Sequence, residues 1–359
     1  MMKNLSFQRL KDFQKLLKNA QLDGYICMST LELRYFSGVD VDAEEAVFLL
    51  KPRKAYCLTQ EMLVPKMAPA ADFMTVKAVQ GDMLGAALDL AAKSKLTRLA
   101  FDPQTADFAR GEKLSRAGLC RLEGGTAEMR KVKYEDEVAL IEKSCRIAAE
   151  AFEEVKPQIK TGMSEEDVRV LMALSMIKRG ADSVPFNIVC FGENCADCHH
   201  TPSAKRKLKK NDAVLMDFGC FYQGYCSDIT RSWWHGDKEP AEYTKIWHIV
   251  SMAKQAADGL LRAGLPVAEV DKAARDVIED AGYGKYYIHT TGHGIGLEVH
   301  ESPIERKGAI GELEENFIVT VEPGIYLPGK FGVRLEDSYL VTKTGSKNLT
   351  QLKKHSARK

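Results

Sequence analysis

The sequence predicts two domains: an α/β unit over residues 1–125, and an α+β unit over residues 126–359 built from an internal repeat with pseudo-twofold symmetry. Three observations carry this. Up to about residue 125, strand-like apolar runs interleave with amphipathic helical stretches. A Gly-Gly break in "EGGTAEMRKVKYEDEV" then separates that pattern from a long helix. Beyond the helix the segment 161–182 recurs at 263–284, an offset of 102 residues.

At 359 residues the chain is long enough for two hydrophobic cores. Its 45% apolar and 28% charged residues are ordinary for a globular protein. A net charge of +1 supplies no global field for nucleic acid or anionic membrane. The opening "MMKNLSFQRLKDFQKLLKNAQLDG" places charges among apolar residues at helical spacing and lacks the apolar stretch of a signal peptide. No apolar run reaches the ~20 residues needed to span a bilayer. Nine cysteines without an export signal point to reduced thiols and a cytoplasmic location.

In chain order, the first domain reads as a helix to about Ala20, then the strands "GYICM", "EAVFLL", "AYCL" and "FMTVKAV". A helix near 82–94, the strand "RLAFD", a helix near 106–117 and "CRLEG" follow. This half holds no cluster of His, Cys and acids, so a structural or substrate-gating role is expected of it. The long helix of the second domain starts near Tyr134, with acids in its first turn where the helix dipole favours them. Each copy of the repeat is an amphipathic helix opened by Ser164 or Pro266 and closed by Gly180 or Gly282. Each then runs into a Gly- and His-containing segment and a strand ending in an acid, one residue and glycine: "VLMDFG" and "VTVEPG". His199 thereby corresponds to His300, and Asp217 to Glu322.

"NCADCHH" contains C-x-x-C-H, the spacing of c-type haem attachment. Haem attachment follows export, which nothing here directs. A redox dithiol should open a helix after a strand, and this one sits in a polar loop. Cys220 and Cys226 are poorly spaced to complete a zinc knuckle. The basic run "KRKLKK" (205–210) reads as a solvated lead-in to a strand, and the tail "KKHSARK" as frayed. Trp233, Trp234 and Trp247 belong either to a core or to a cleft wall.

The chemistry lies in two hairpins. In "AVLMDFGCFYQGYCSDITRS" a turn at Tyr222-Gln223-Gly224 sets Asp217 opposite Asp228. In "IVTVEPGIYLPGKFGVRLEDSYLV" a turn centred on Gly329 sets Glu322 opposite Glu336. Facing carboxylates on apolar strands repel one another and cannot all ionise without a compensating cation. Four negative charges match two divalent metals. Oxygen ligands with one imidazole suit Mn²⁺, Co²⁺, Zn²⁺ or Fe²⁺. The imidazole candidate is His293, which the glycines of "HTTGHGIGLEVHESP" allow close to a crowded centre; His300, seven residues on, is better placed for substrate or outer contacts.

The motifs "DFG", "YCSDITRS", "TGHGIGLEVHESP", "VEPGIY" and "GVRLEDSYLVT", in this order and at these gaps, resemble the M24B metallopeptidases of the pita-bread fold, prolidase (Xaa-Pro dipeptidase) and aminopeptidase P. The resemblance runs from residue 126 to about 345; the first domain is similar, less sharply, to the creatinase-type domain of the same enzymes. It implies hydrolysis of Xaa-Pro bonds at peptide N-termini by a dinuclear centre, with Mn²⁺ the foremost metal, in a homodimer. Asp217, Asp228, His293, Glu322 and Glu336 would be the ligands, with Asp228 and Glu336 bridging. Glu322 would also shuttle a proton, His199 and His300 would contact the peptide, and Arg334 would orient this shell or the substrate.

His200 would be loop structure. Cys195 and Cys198 depart from the usual Ser and Pro of that loop, and predict sensitivity to mild oxidant. Two other readings stand beside this one: a methionine aminopeptidase, which shares the ligands, and a binding protein that uses the fold without chemistry.

Overall fold

The apolar runs of the first half assemble into one mixed six-stranded sheet in the computed structural model, which describes residues 2–350. The strands are β1 (Gly24–Cys27), β2 (Ala46–Lys51), β3 (Lys54–Thr59), β4 (Thr75–Ala78), β5 (Leu99–Phe101) and β6 (Cys120–Arg121), in the order β4-β3-β2-β1-β5-β6. Helices α1 (Met2–Asn19), α2 (Thr30–Ser37), α3 (Met83–Lys93), α4 (Phe108–Arg116) and α5 (Gly125–Lys131) complete the segment. β1 is buried along its whole length, as its unbroken apolar run requires of a central strand flanked on both edges. The helices α3 and α4 begin at Asp82 and Asp107, whose carboxylates accept the backbone N–H three residues on. The described residues up to Met129 form one compact unit and those from Arg130 another. The expected fraying of "KKHSARK" falls on residues 353–359, outside the described residues.

The second unit opens with α6 (Glu135–Val155), which has Glu135, Asp136 and Glu137 in its first turn. Its buried stripe, including Ile147, Ala151, Phe152 and Val155, packs with Val189, Val214, Met216 and Phe218. Helices α7 (Glu165–Lys178), α8 (Ala241–Asp258) and α9 (Val267–Asp280) follow among the strands.

The repeat keeps its register in the helices: α7 and α9 have equal length and begin and end 102 residues apart. Ser164 and Asp167 exchange hydrogen bonds at the start of α7, Oγ accepting from the Asp167 N–H at 3.0 Å and the carboxylate from the Ser164 N–H at 2.8 Å. The second copy starts on Pro266, whose missing N–H leaves no donor to satisfy there. Gly180 and Gly282 close the two helices at φ 95° and 84°, a region that side chains with a Cβ disfavour.

The strands of this unit are β7 (Asn187–Phe191), β8 (Asp212–Phe218), β9 (Phe221–Tyr222), β10 (Tyr225–Cys226), β11 (Ile229–His235), β12 (Gly292–Gly294), β13 (Glu301–Glu305), β14 (Ile318–Val321), β15 (Gly324–Leu327), β16 (Phe331–Arg334), β17 (Asp337–Val341) and β18 (Ser346–Asn348). They form antiparallel sheets ordered β11-β8-β7 and β13-β12-β14-β17-β18, with the pairs β9-β10 and β15-β16 at the hairpin tips.

The second hairpin has the expected register. β15 pairs β16 with Gly324 opposite Arg334, and β14 pairs β17 with Val321 opposite Asp337. Both ladders centre on Gly329 and bring Glu322 and Glu336 into line between them. The first hairpin differs. Its turn is the two-residue Gln223-Gly224, both at positive φ (47° and 79°), so Tyr222 faces Tyr225 and Asp217 faces Thr230 rather than Asp228. The slip is two residues. Because side chains alternate faces, an even slip leaves Asp217 and Asp228 on one face as diagonal neighbours.

The basic lead-in reaches β8 with Leu208 buried and Arg206 donating to Asp212 at 2.7 Å. No described helix is long and apolar enough to cross a membrane.

Candidate metal centre

The two hairpins join along β11. Ser232 Oγ donates to the Arg334 carbonyl at 2.9 Å, and the Glu336 N–H donates to the Thr230 carbonyl at 3.1 Å. This seam brings Asp228, Thr230, Arg334 and Glu336 into one region. His293 arrives from β12, the strand beside β14. Its backbone N–H is held by Thr320 Oγ1 at 3.1 Å, and a Cβ on Gly292 would collide with the Thr320 carbonyl. The glycine before His293 is therefore what lets the strand lie this close.

One ligand atom from each of Asp228, His293 and Glu336 lies within 4.8 Å of the others, and all three residues are buried. His293 Nε2 lies 3.2 Å from Glu322 Oε1 and 3.7 Å from Asp228 Oδ2. Its Nδ1 faces the Gly294 carbonyl at 3.0 Å, an arrangement that puts a proton on Nδ1 and turns Nε2 toward carboxylate oxygens. Lone pair against lone pair is repulsive unless a proton or a cation sits between them. Glu336 Oε2 accepts from Thr230 Oγ1 at 2.6 Å, and its Oε1 is buried without a partner. Asp217 Oδ2 accepts from Arg334 Nη2 at 2.5 Å, and its Oδ1 is likewise unpartnered. Buried, orphaned carboxylate oxygens beside an imidazole lone pair fit a site for a hard or borderline divalent cation.

The electrostatics agree. Burial, then Glu336 and Asp217, push the Asp228 carboxyl well up; burial, then Glu322 and Asp217, do the same to Glu336. Burial also raises Asp217, against the pull of Arg334. For Glu322 burial acts upward but is outweighed by the hydrogen bond and charge of His293, which hold it at about 2. Burial lowers His293, and Glu322 more than reverses that.

His300 stacks its ring edge-on to His293, with centroids 4.3 Å apart, and its pKa is lowered by burial and by the His293 charge. His199, His300, Asp217, Asp228, His293, Glu322 and Arg334 all line one cavity of about 510 Å³, walled on its apolar side by Phe186, Ile188, Val299 and Ile304. Arg334 is buried and fully used: Nε to Thr230 Oγ1 at 3.0 Å, Nη1 to Tyr326 at 2.7 Å and the Cys198 carbonyl at 3.3 Å, Nη2 to Asp217.

Sequence reasoning missed His289 and Tyr326. The Tyr326 hydroxyl accepts from Arg334 and lies 2.8 Å from His289 Nε2, while His289 Nδ1 faces the Thr290 carbonyl at 2.7 Å. Burial lowers the His289 pKa, so it is the neutral ring that ends this chain of bonds. Its pairing with Tyr326 spans 37 residues, beyond any local spacing signal. None of the three tryptophans lines the cavity.

His200 is loop structure, its Nε2 lying 2.8 Å from Glu165, which also takes the Phe191 N–H. The two cysteines of the same loop differ. Cys198 is half-buried, whereas Cys195 is fully buried, donates to the Cys190 carbonyl, and is pushed up by burial. A buried, protonated thiol is a poor target for oxidant, so the expected redox sensitivity through Cys195 is not supported.

Residues 139–343 match metallopeptidase family M24, and residues 9–132 match the creatinase/prolidase N-terminal domain. An uncharacterized peptidase of Staphylococcus epidermidis is 32% identical over 96% of this chain and 99% of its own length. The structure of an Xaa-Pro dipeptidase from Bacillus anthracis superposes with a TM-score of 0.92 at 30% identity, covering 98% of this chain and 99% of that one. An X-Pro aminopeptidase from Thermotoga maritima gives 0.88 at 30% identity, covering 96% and 98%. With a creatinase-type domain ahead of a pita-bread catalytic domain, the chain belongs to metallopeptidase family M24 and is a peptidase.

Proposed function

We propose that this protein hydrolyses Xaa-Pro bonds at peptide N-termini with two divalent cations, held by Asp217, Asp228, His293, Glu322 and Glu336 in a catalytic domain running from residue 126. The observation that carries the reading is the pair of buried, orphaned oxygens, Asp217 Oδ1 and Glu336 Oε1: Glu336 clusters with His293 and Asp228, and Asp217, Asp228, His293 and Glu322 line a cavity large enough for a short peptide. The solved structures it resembles are named as an Xaa-Pro dipeptidase and an X-Pro aminopeptidase, which supports the proline specificity.

A bound cation pair supplies water activation and carbonyl polarisation at neutral pH. The residues do the rest. Glu322, held ionised, accepts a proton from the attacking water and passes it to the proline nitrogen as the C–N bond breaks. That nitrogen is a tertiary amide with no N–H of its own, and like any amide nitrogen it leaves only once protonated. His199 and His300 line the cavity and hydrogen-bond the peptide, steadying the tetrahedral oxygen. Arg334 holds Asp217 in place, and the free amine of the substrate binds near Asp217.

This donor set accepts Mn²⁺, Co²⁺, Zn²⁺ or Fe²⁺, and the family resemblance puts Mn²⁺ first. A cytoplasmic location accompanies the reading, in keeping with nine free cysteines, and the family resemblance adds a homodimer.

The test compares release of the N-terminal residue from Ala-Pro, Ala-Pro-Ala and Met-Ala-Ser after chelation and reconstitution with Mn²⁺, Co²⁺ or Zn²⁺. Cleavage of either proline peptide with Met-Ala-Ser intact is expected, and the ratio of the first two separates dipeptidase from aminopeptidase. Cleavage of Met-Ala-Ser alone, or of nothing with any metal, overturns the proposal.

A further inference from the structure

The strands that carry the candidate ligands have a second face. Along β11, Thr230 turns toward Glu336 while Arg231 turns away; Asp337, next to Glu336, turns the same way as Arg231 and pairs with it at 2.6 Å. Over this reverse face lies a narrow cleft between the end of α6 and α8, whose walls include Phe152, Lys156, Arg231, Trp233, Trp247 and Lys254. The charges lining it are unequal in their use. Arg231 is committed to Asp337 and to the carbonyls of Thr230, Glu336 and Thr350. Lys254 is committed to Asp258 at 3.0 Å, Asp337 at 2.8 Å and the Tyr339 hydroxyl.

Lys156 has no such partner. Among the described residues its Nζ makes no hydrogen bond or ion pair, and it lies over the rings of Trp233 and Phe152, 5.1 and 5.7 Å from their centroids. Burial lowers its pKa to about 8; the charge of Glu153 acts to raise it, and that of Arg231 to lower it further. The other charged groups facing the cleft, Lys254, Asp258 and Asp337, are paired among themselves. Unlike an exposed lysine, this amine spends an appreciable fraction of time neutral and nucleophilic.

The size of the cleft selects the reactant. Its interior volume is about 60 Å³, and a water needs roughly 10–15 Å³ on the same scale. It has room for roughly four to six waters, which suits a small molecule at the amine. Its aromatic walls, Phe152, Trp233 and Trp247, favour a small uncharged molecule on entry.

We propose that Lys156 is a carbon dioxide site, forming a carbamate on the reverse face of the catalytic sheet. The neutral amine attacks the carbon of CO₂, forming one N–C bond. The electrons of one C=O π bond move to oxygen, and a proton leaves nitrogen for solvent, giving Lys–NH–COO⁻. No oxidant, reductant or further reactant is required. The product exchanges a cation for an anion beside Arg231, one residue from the Thr230–Glu336 bond.

The metal-loaded protein incubated with ¹³C-bicarbonate, trapped with triethyloxonium and digested for mass spectrometry tests this directly. At about pH 8.5 the Lys156 peptide should carry a ¹³C ethoxycarbonyl group, about tenfold or more above exposed lysines such as Lys307, as its larger neutral fraction requires. The label should fall steeply at about pH 6, and Lys156→Arg should remove it while leaving peptidase activity intact. Absence of the adduct from Lys156 while the α-amino group is labelled overturns the proposal, as does labelling no greater than at exposed lysines. Neither result depends on which peptide the enzyme cleaves.

Discussion

At the scale of single residues, Arg334 has the most to answer for. Its guanidinium bonds Asp217, Tyr326, Thr230 and a loop carbonyl at once, a fork that an ammonium cannot reproduce. Arg334→Met would strand a buried carboxylate and should cost about 3–5 kcal/mol of stability. Arg334→Lys keeps the charge but loses the fork, so kcat/KM should fall far more than Tm does. Both are read on one preparation by kinetics and thermal melting; a lysine variant with wild-type kcat/KM would show that the fork does not position Asp217. Arg334 and the five candidate ligands could be named from sequence because each sits in a local motif. His289 and Tyr326 could not, because what makes them part of the site is a hydroxyl meeting a ring across two different strands. Cys195 shows the converse. Its neighbour relations in sequence suggested reactivity, and burial, which sequence does not display, removes it.

At the scale of elements, the two hairpins differ in how far their registers can be read. The loop Pro328-Gly329-Lys330 is symmetric about a glycine at φ 72°, so the centre is visible and the pairing of Glu322 with Glu336 follows. The other turn puts Gln223 at positive φ, where Asn or Gly is the usual signal, and the turn is then read one residue early. The consequence is a slip of two, harmless to the choice of ligands because it preserves the face.

Steric crowding beside the acids was not visible at all. A Cβ on Gly219 would collide with the Ser227 carbonyl, across from Asp228 and two residues from Asp217. Gly219→Ala should therefore cost about 1–3 kcal/mol and weaken metal binding, because the strands must part where they hold the acids. Gly329→Ala meets nothing within 4 Å and carries only left-handed strain, about 1–2 kcal/mol, with metal affinity unchanged. Denaturant melts with metal titration separate the two; a Gly219→Ala protein that binds metal as the wild type does would mean this crowding does not set the site.

At the scale of the whole molecule, duplication explains why the charge problem exists and what relieves it. Each half contributes a strand ending in an acid, and their junction along β11 packs Asp217, Asp228, Glu322 and Glu336 into a region with the His293 imidazole and the Arg334 guanidinium. Without a cation, burial and mutual repulsion raise Asp228 and Glu336, so the folded protein retains protons there that the unfolded chain would release. Stability from these groups is complete below the ordinary carboxylate range and is lost as pH rises through the folded values. Glu322, held at about 2, acts in the opposite direction, but only below the ordinary range.

The chelated protein should therefore lose stability as pH rises above the ordinary carboxylate range, where the metal-loaded protein does not. Adding metal at about a thousand times its Kd should return ~4 kcal/mol, or roughly 2–4 °C of Tm for each kcal/mol. Thermal melts of chelated and reconstituted protein across that rise in pH provide the check. A chelated protein equally stable at both ends would mean that the four acids are compensated by the protein alone, and the case for a cation between the hairpins would fall with it.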